Sequence, residues 1–310
     1  MNTKIDYAIE VQPIPYPGFD FPVGGRVAIV RDEPIDEVVA LINREGIEAV
    51  TLNCSKGWCS EDVSFLAELP NVRNLAIITS HTTGVQAIEK MVSLEELNIT
   101  FSSKDTVDFT KLKLLKKAYI HWWSGAESVM DCDWITTAYF DEIRRKDFSH
   151  IANMTGLEKL TIANSNIKSL EWLPALKNLT ELSLFNCRSL TDFSPIAQLK
   201  QLKRINIEGC NKLTDISFVA DLPRLEILGL TGNSEIPSIA AVGGAKALKA
   251  FFFQASTNVL DGDLSALLTL PQLAILSFQP RKHYSHKLVK KWKWADFDQP
   301  DILLQATNQK

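Results

Sequence analysis

The feature that most constrains this chain is a period. Leu157, Leu179, Leu202, Leu225 and Leu248 recur at intervals of 22, 23, 23 and 23 residues. Each opens the same phrase: an apolar residue, two variable ones, an apolar one, one variable, then another apolar one, as in LTELSLFNCRSL and LKRINIEGCNKL. Upstream, Ile47, Val72, Leu94, Leu115 and Ile135 continue the phrase less cleanly; Leu273 opens a last copy, LAILSF, which brings the strand segments to eleven. Self-similarity on this scale marks stacked repeats. Each unit supplies a short strand whose alternate residues point inward. A second apolar set, such as Leu190, Phe193, Ile196 and Leu199, closes the coil. No unit can bury these residues alone, so neighbours must stack. A chain of 310 residues, long for one compact core, is then read as an extended array.

This phrase resembles the leucine-rich repeat family, with an internalin-like unit of about 22 residues. The resemblance covers roughly residues 46–280. It implies an α/β solenoid: a curved arc with a parallel β-sheet on its concave face, short helical or irregular convex segments, and a cap at each end. The expected organisation is an N-terminal cap over residues 1–45, repeats over 46–280, and a C-terminal cap or basic tail over 281–310. In the first cap, GGRVAIV reads as a strand over 26–30. PIDEVVALINREG reads as a helix over 34–44, with proline near its start and glycine at its stop. Some leucine-rich repeat effectors end in a large ubiquitin-ligase domain; about 30 residues follow the last repeat here, too few for one.

Counting the first apolar residue of a unit as one, position nine holds Ser165, Cys187, Cys210, Asn233 and Ser256, and earlier Ser55, Ser80 and Ser102. A small polar side chain at this turn can satisfy backbone groups of the next coil. The spacing of Cys187 and Cys210 is therefore the repeat period and is read as structural. Cys54 and Cys59, in CSKGWC, have no second ligand pair to complete a zinc site. The odd count of five cysteines suggests no disulfide framework, and a reducing cytoplasm is the expected compartment. The N-terminus lacks a signal-peptide pattern, and no apolar run reaches membrane-spanning length.

Catalytic motifs are absent: no phosphate loop, no helical His-Glu-x-x-His, no nucleophile elbow and no kinase signature. His121 with Cys132 and a nearby aspartate has the residue types of a Cys-His site, but nothing in the sequence fixes their geometry. No catalytic role, metal or cofactor is expected.

One stretch breaks the regular pattern, YIHWWSGAESVMDCDW, from Tyr119 to Trp134. Positions three, five and seven of each strand face the concave surface, and position eight lies at its edge. That map places Phe101, Tyr119, His121, Trp122, Tyr139, Asp141, Glu142, Phe185 and Glu208 together as the candidate partner-binding residues, centred on Tyr119, Trp122 and Tyr139. Aromatic residues on a rigid sheet, rimmed by charge, have the composition of an interface hot spot. Trp123 and Trp134 are expected to fill a widened core around an irregular loop, SGAESVMDCD. A one-residue slip of register would reverse these assignments.

The function expected is binding of a folded protein by a chain that is monomeric when free. The family resemblance narrows this to an inhibitor or immunity protein of bacterial origin that neutralises a toxin. The segment from Arg281 to Lys293 carries +6 against a total of −4, so the remainder is acidic and suits a basic toxin. Alternatives are a regulatory or scaffold subunit, or a secreted bacterial effector that binds a host protein. Nucleic acid or an anionic membrane is a lesser alternative, through the basic, aromatic segment 281–294.

Overall fold

The computed structural model describes residues 26–145, 148–233 and 235–286. The first strand, β1 (Val27–Val30), leads into the helix α1 (Ile35–Glu45). The chain then repeats strand, turn and short 3-10 helix. The strands are β2 (Ala49–Asn53), β3 (Asn74–His81), β4 (Glu96–Ser102), β5 (Lys117–His121), β6 (Thr137–Asp141), β7 (Lys159–Ala163), β8 (Glu181–Phe185), β9 (Arg204–Glu208) and β10 (Ile227–Thr231). They continue with β11 (Glu235–Ile236), β12 (Ala250–Phe253), β13 (Asn258–Val259) and β14 (Ile275–Phe278). Twelve of them form one parallel sheet in sequential order, with β11 and β13 pairing apart from it. Eleven sheet strands follow β1, the number the repeat pattern predicts.

α1 ends where the sequence places its stop. Gly46 adopts φ 59°, and the N–H groups of Gly46 and Ile47 donate to Asn43 and Ile42. A left-handed residue of this kind suits glycine, and it returns the chain to β2. Thereafter each strand alternates. Leu160, Leu182, Ile205 and Leu228 align in one inward row, and Ile162, Leu184, Ile207 and Leu230 in a second. All eight are buried. Leucines such as Leu190 and Leu213, from the turn after the strand, close the same core. Fully burying one such side chain contributes roughly 1.5–3 kcal/mol, so the stack is held by many equal increments.

The position-nine rule holds from Ser165 onward. The Ser165 hydroxyl donates to Ile143 O at 3.0 Å, and the Asn233 amide donates to Ile207 O at 2.7 Å while accepting from Cys210 N at 2.9 Å. The Cys187 and Cys210 thiols donate to strand carbonyls of the preceding coil, Ile162 O and Leu184 O. A hydrogen bond to Cys210, then burial, push the Cys187 thiol well above the ordinary range, so it stays protonated. In the tenth unit the buried hydroxyl is Thr257, not Ser256. In the early coils Ser55, Ser80 and Ser102 are exposed; the Ser102 hydroxyl still donates to Ser80 O of the preceding coil at 3.0 Å, but none of the three fills the interior.

There the interior is filled otherwise. SGAESVMDCD is no irregular loop: Ser124–Asp131 is a 3-10 helix. Trp123 is buried, packs on Phe101 and Phe109, and donates its indole N–H to Asp105 O at 2.9 Å. Gly125 makes that approach possible, since a Cβ there would lie 2.0 Å from Asp105 O. Cys132 is core, with its thiol donating to Ser128 O and pushed up to about 12 by burial. Trp134 is half-buried: its N–H donates to Leu112 O at 3.0 Å, and Lys113 Nζ lies 3.9 Å from the ring centroid.

At the far end Tyr284 packs against Phe253 and Phe278, and its hydroxyl accepts from Val259 N at 3.2 Å. Ser285 N donates to Gly262 O at 2.8 Å, so residues up to His286 close the last coil. Residues 1–25 of the expected first cap, and Lys287 to Lys293 with Trp292 and Trp294 of the basic tail, lie outside the described residues.

Candidate protein-binding face

The outward residues of β5 to β9 make one continuous surface. Register places Tyr119, Tyr139, Thr161, Ser183 and Asn206 in one row across it. His121, Asp141, Ala163, Phe185 and Glu208 form the next row. Parallel strands lie about 4.8 Å apart, so the five residues of a row span roughly 19 Å.

Seven of the nine predicted residues border this surface, and two do not. Phe101 is 2% exposed and packs on Trp123 with ring centroids 5.1 Å apart. Trp122, half-buried, meets Phe140 at 5.8 Å and Phe148 at 6.0 Å, edge to face, and so packs against the core. Both occupy position eight. Strand alternation carries even positions inward, so a residue there is an edge residue only when the backbone turns first. Tyr119 faces the concave side but is 9% exposed, clustered with Ala76 and Tyr139. It is therefore a support beside Tyr139 and not the centre of the patch.

Tyr139 is half-buried, and burial, then the Asp141 charge, push its phenol up to about 12. The hydroxyl remains a neutral hydrogen-bond donor at any physiological pH. Asp141 accepts from His121 Nδ1 at 3.2 Å through one oxygen and from Asn164 Nδ2 at 2.8 Å through the other. Asn186 Nδ2 then donates to Asn164 Oδ1 at 2.9 Å. The result is a ladder of side chains, His121–Asp141–Asn164–Asn186, across four successive coils. Asn164 and Asn186 have φ 49° and 53°, in the left-handed region, which asparagine tolerates better than most residues. Neither Asn164 nor Asn186 was among the nine predicted residues. The signal for both is the recurrence of asparagine, then glycine, at position eight: Asn164, Asn186, Gly209, Gly232.

Glu142 shares the left-handed conformation, φ 56°, and pairs with Arg144 at 2.9 Å; the hydrogen bond to Arg144 holds its carboxyl below the usual range. The adjoining row carries matched charges: Glu96 with Lys117 at 3.2 Å, and Glu181 with Lys159 at 3.2 Å and Arg204 at 3.7 Å. His121 and Cys132 do not meet as a catalytic pair, since His121 faces the concave side with Asp141 while Cys132 is sealed in the core. Among the described residues, no group of three or more histidine, cysteine or carboxylate side chains is placed to hold a metal ion.

A sheet of twelve sequential parallel strands, with one turn of 3-10 helix closing most coils, is the geometry of a repeat solenoid. The profile described as "Leucine Rich repeats (2 copies)" matches residues 155–198 and 177–221. The fold is a leucine-rich repeat solenoid. It is similar to that of an internalin of Listeria monocytogenes str. 4b F2365, with 20% identity, 84% of this chain and 83% of that chain covered, and a TM-score of 0.57. It is also similar to a leucine-rich repeat protein of Leptospira interrogans, with 18% identity, 81% and 70% covered, and a TM-score of 0.55. At such identities the likeness is one of fold. No curated protein sequence matches the chain. Leucine-rich repeats are in general protein-interaction modules, and the face of this repeat protein has the shape for that role.

Proposed function

We propose that this repeat protein is a non-catalytic binder whose concave face, from β5 to β9, engages a folded protein partner, and that occupying the partner is its activity. The observation that carries the reading is Tyr139: a half-buried phenol on a rigid sheet, packed against Tyr119 on the adjacent strand and two residues from Asp141 of the ladder. An aromatic anchor fixed in this way loses little entropy on binding. Phe185 and His121 extend the contact surface, and Asp141, Glu142 and Glu208 supply a polar rim.

Inhibition is the finer form we propose, with a basic toxin as the partner. Acidic groups on the face and a net charge of −4 favour a cationic surface. The cytoplasm is the proposed compartment, in keeping with the free, exposed thiols of Cys54 and Cys59.

The test is capture of partners from native lysate by the wild type and by Tyr139→Ala, with circular dichroism used to confirm that the variant is folded. The expected result is one partner whose affinity falls at least ~30-fold in the variant, the loss typical of a hot spot. A partner held equally by both proteins would move the site off this face. A partner that the chain leaves fully active would rule out inhibition while keeping the binding site.

A further inference from the structure

The face does not match all of its charges. Glu96, Glu181 and Glu142 each have a lysine or arginine within 4 Å, and Asp141 has His121 and Asn164. Glu208 has no basic partner among the described residues. Partial desolvation by the surrounding concavity raises its carboxyl above the ordinary range, and no cation offsets that effect. The residue nevertheless remains exposed.

Two neighbours flank Glu208. Phe185, half-exposed, is the cross-strand partner of Glu208. The ladder through Asn164 and Asn186 stops at Gly209 and Gly232, both with φ 65°. A Cβ on Gly209 would lie 2.3 Å from Asn186 Oδ1, so the ladder itself excludes a side chain there. On Gly232 a Cβ would make ordinary contacts only, with Gly209 N at 3.8 Å and Glu208 Cγ at 4.0 Å. Neither glycine carries a side chain over Glu208, so the neighbour that shapes the approach to this unpaired carboxylate is the Phe185 ring on the adjacent strand.

We propose that the cross-strand pair Phe185 and Glu208, next to the glycine turns at Gly209 and Gly232, is a subsite for an arginine side chain of the protein partner. This rests on the reading of the concave face as the partner-binding surface. A guanidinium is planar and weakly hydrated; it can stack on the Phe185 ring while donating to the Glu208 carboxylate, which an ammonium does less well. Pairing would also relieve the desolvated charge. A hard metal ion would need several oxygen ligands, and this pair offers one carboxylate.

The experiment is a selection of displayed random peptides on immobilised wild-type protein, followed by fluorescence anisotropy of a selected peptide against wild type, Glu208→Gln, Phe185→Leu and Tyr139→Ala. Circular dichroism and the melting temperature would confirm that each variant is folded. The selected pool is expected to be rich in arginine. Glu208→Gln should weaken the peptide at least tenfold, Phe185→Leu by less, and replacing the arginine by neutral citrulline should remove the sensitivity to Glu208→Gln. Peptides weakened by Tyr139→Ala but equally bound by Glu208→Gln, or selected without basic residues, would overturn the subsite and leave the concave reading intact. Peptides indifferent to both variants, or a selection that yields none, would overturn both.

Discussion

The coils built on β4 to β6 and those built on β7 to β10 share one strand register and leave the sheet differently. In the later group, position eight is left-handed at Asn164, Asn186, Gly209 and Gly232. The chain turns away at once, and a small polar or thiol side chain at position nine fits the narrow interior. In the earlier group the strand path continues, so Phe101 and Trp122 point inward, and Trp123 occupies position nine. β6 is the transition, left-handed at Glu142 but with buried Ile143 at position nine. The same repeat therefore supports two interiors, one filled by aromatic rings and one by backbone hydrogen bonds. The candidate face lies across their junction.

Substitutions test this contrast. The largest effect is expected for Phe140→Ala. Its ring meets both Trp122 and Phe148 at 5.8 Å, and its loss should cost ~3–5 kcal/mol in denaturant unfolding, more than Leu184→Ala in the same inward row. Equal costs would mean that the aromatic interior has no special weight. Trp123→Ser restores the small polar residue of the later coils, yet should still destabilise by ~3 kcal/mol or more, because it empties a widened interior and orphans Asp105 O.

Asn233→Ala tests the other interior. It strips partners from Ile207 O and Cys210 N, at an expected cost of ~1–3 kcal/mol, while Asn164→Ala on the exposed ladder should cost only ~0.5–1.5 kcal/mol. If the order were reversed, the surface ladder and not the position-nine bond would be tying the coils together.

The smallest effect is at Glu208. Its folded-state carboxyl binds protons more tightly than the unfolded one, so its charged form opposes folding. The stability cost is therefore present above the folded pKa and disappears as pH falls below the unfolded one. Glu208→Gln should raise stability slightly at neutral pH, by about 0.5 kcal/mol or less for so exposed a group, and not at all in acid; melting curves across pH 3–8 would read this. A loss of stability at neutral pH would reveal a cation partner for Glu208.

Much of the fold could be read in advance because the period is written in leucines, and a period leaves one way to stack. The position of α1 was equally plain from Pro34 and Gly46. The site was legible only in part. Tyr139, Asp141, Phe185 and Glu208 lie where alternation places them, but Phe101 and Trp122 depended on where the backbone leaves the strand. That choice is made by φ at one residue, and neither the phenylalanine nor the tryptophan announces it. The ladder was missed because its members are a coil apart in sequence and meet only across the sheet.

The amino-acid sequence by itself determined the repeat, the strand register and the inward rows, since these follow from the spacing of apolar side chains along the chain. Only the tertiary structure decided which aromatic rings are core and which are surface. It also decided which carboxylates find a cation and where the amide ladder ends. Those outcomes depend on neighbours stacked 20 or more residues away, and on the turn that each coil takes before it meets the next.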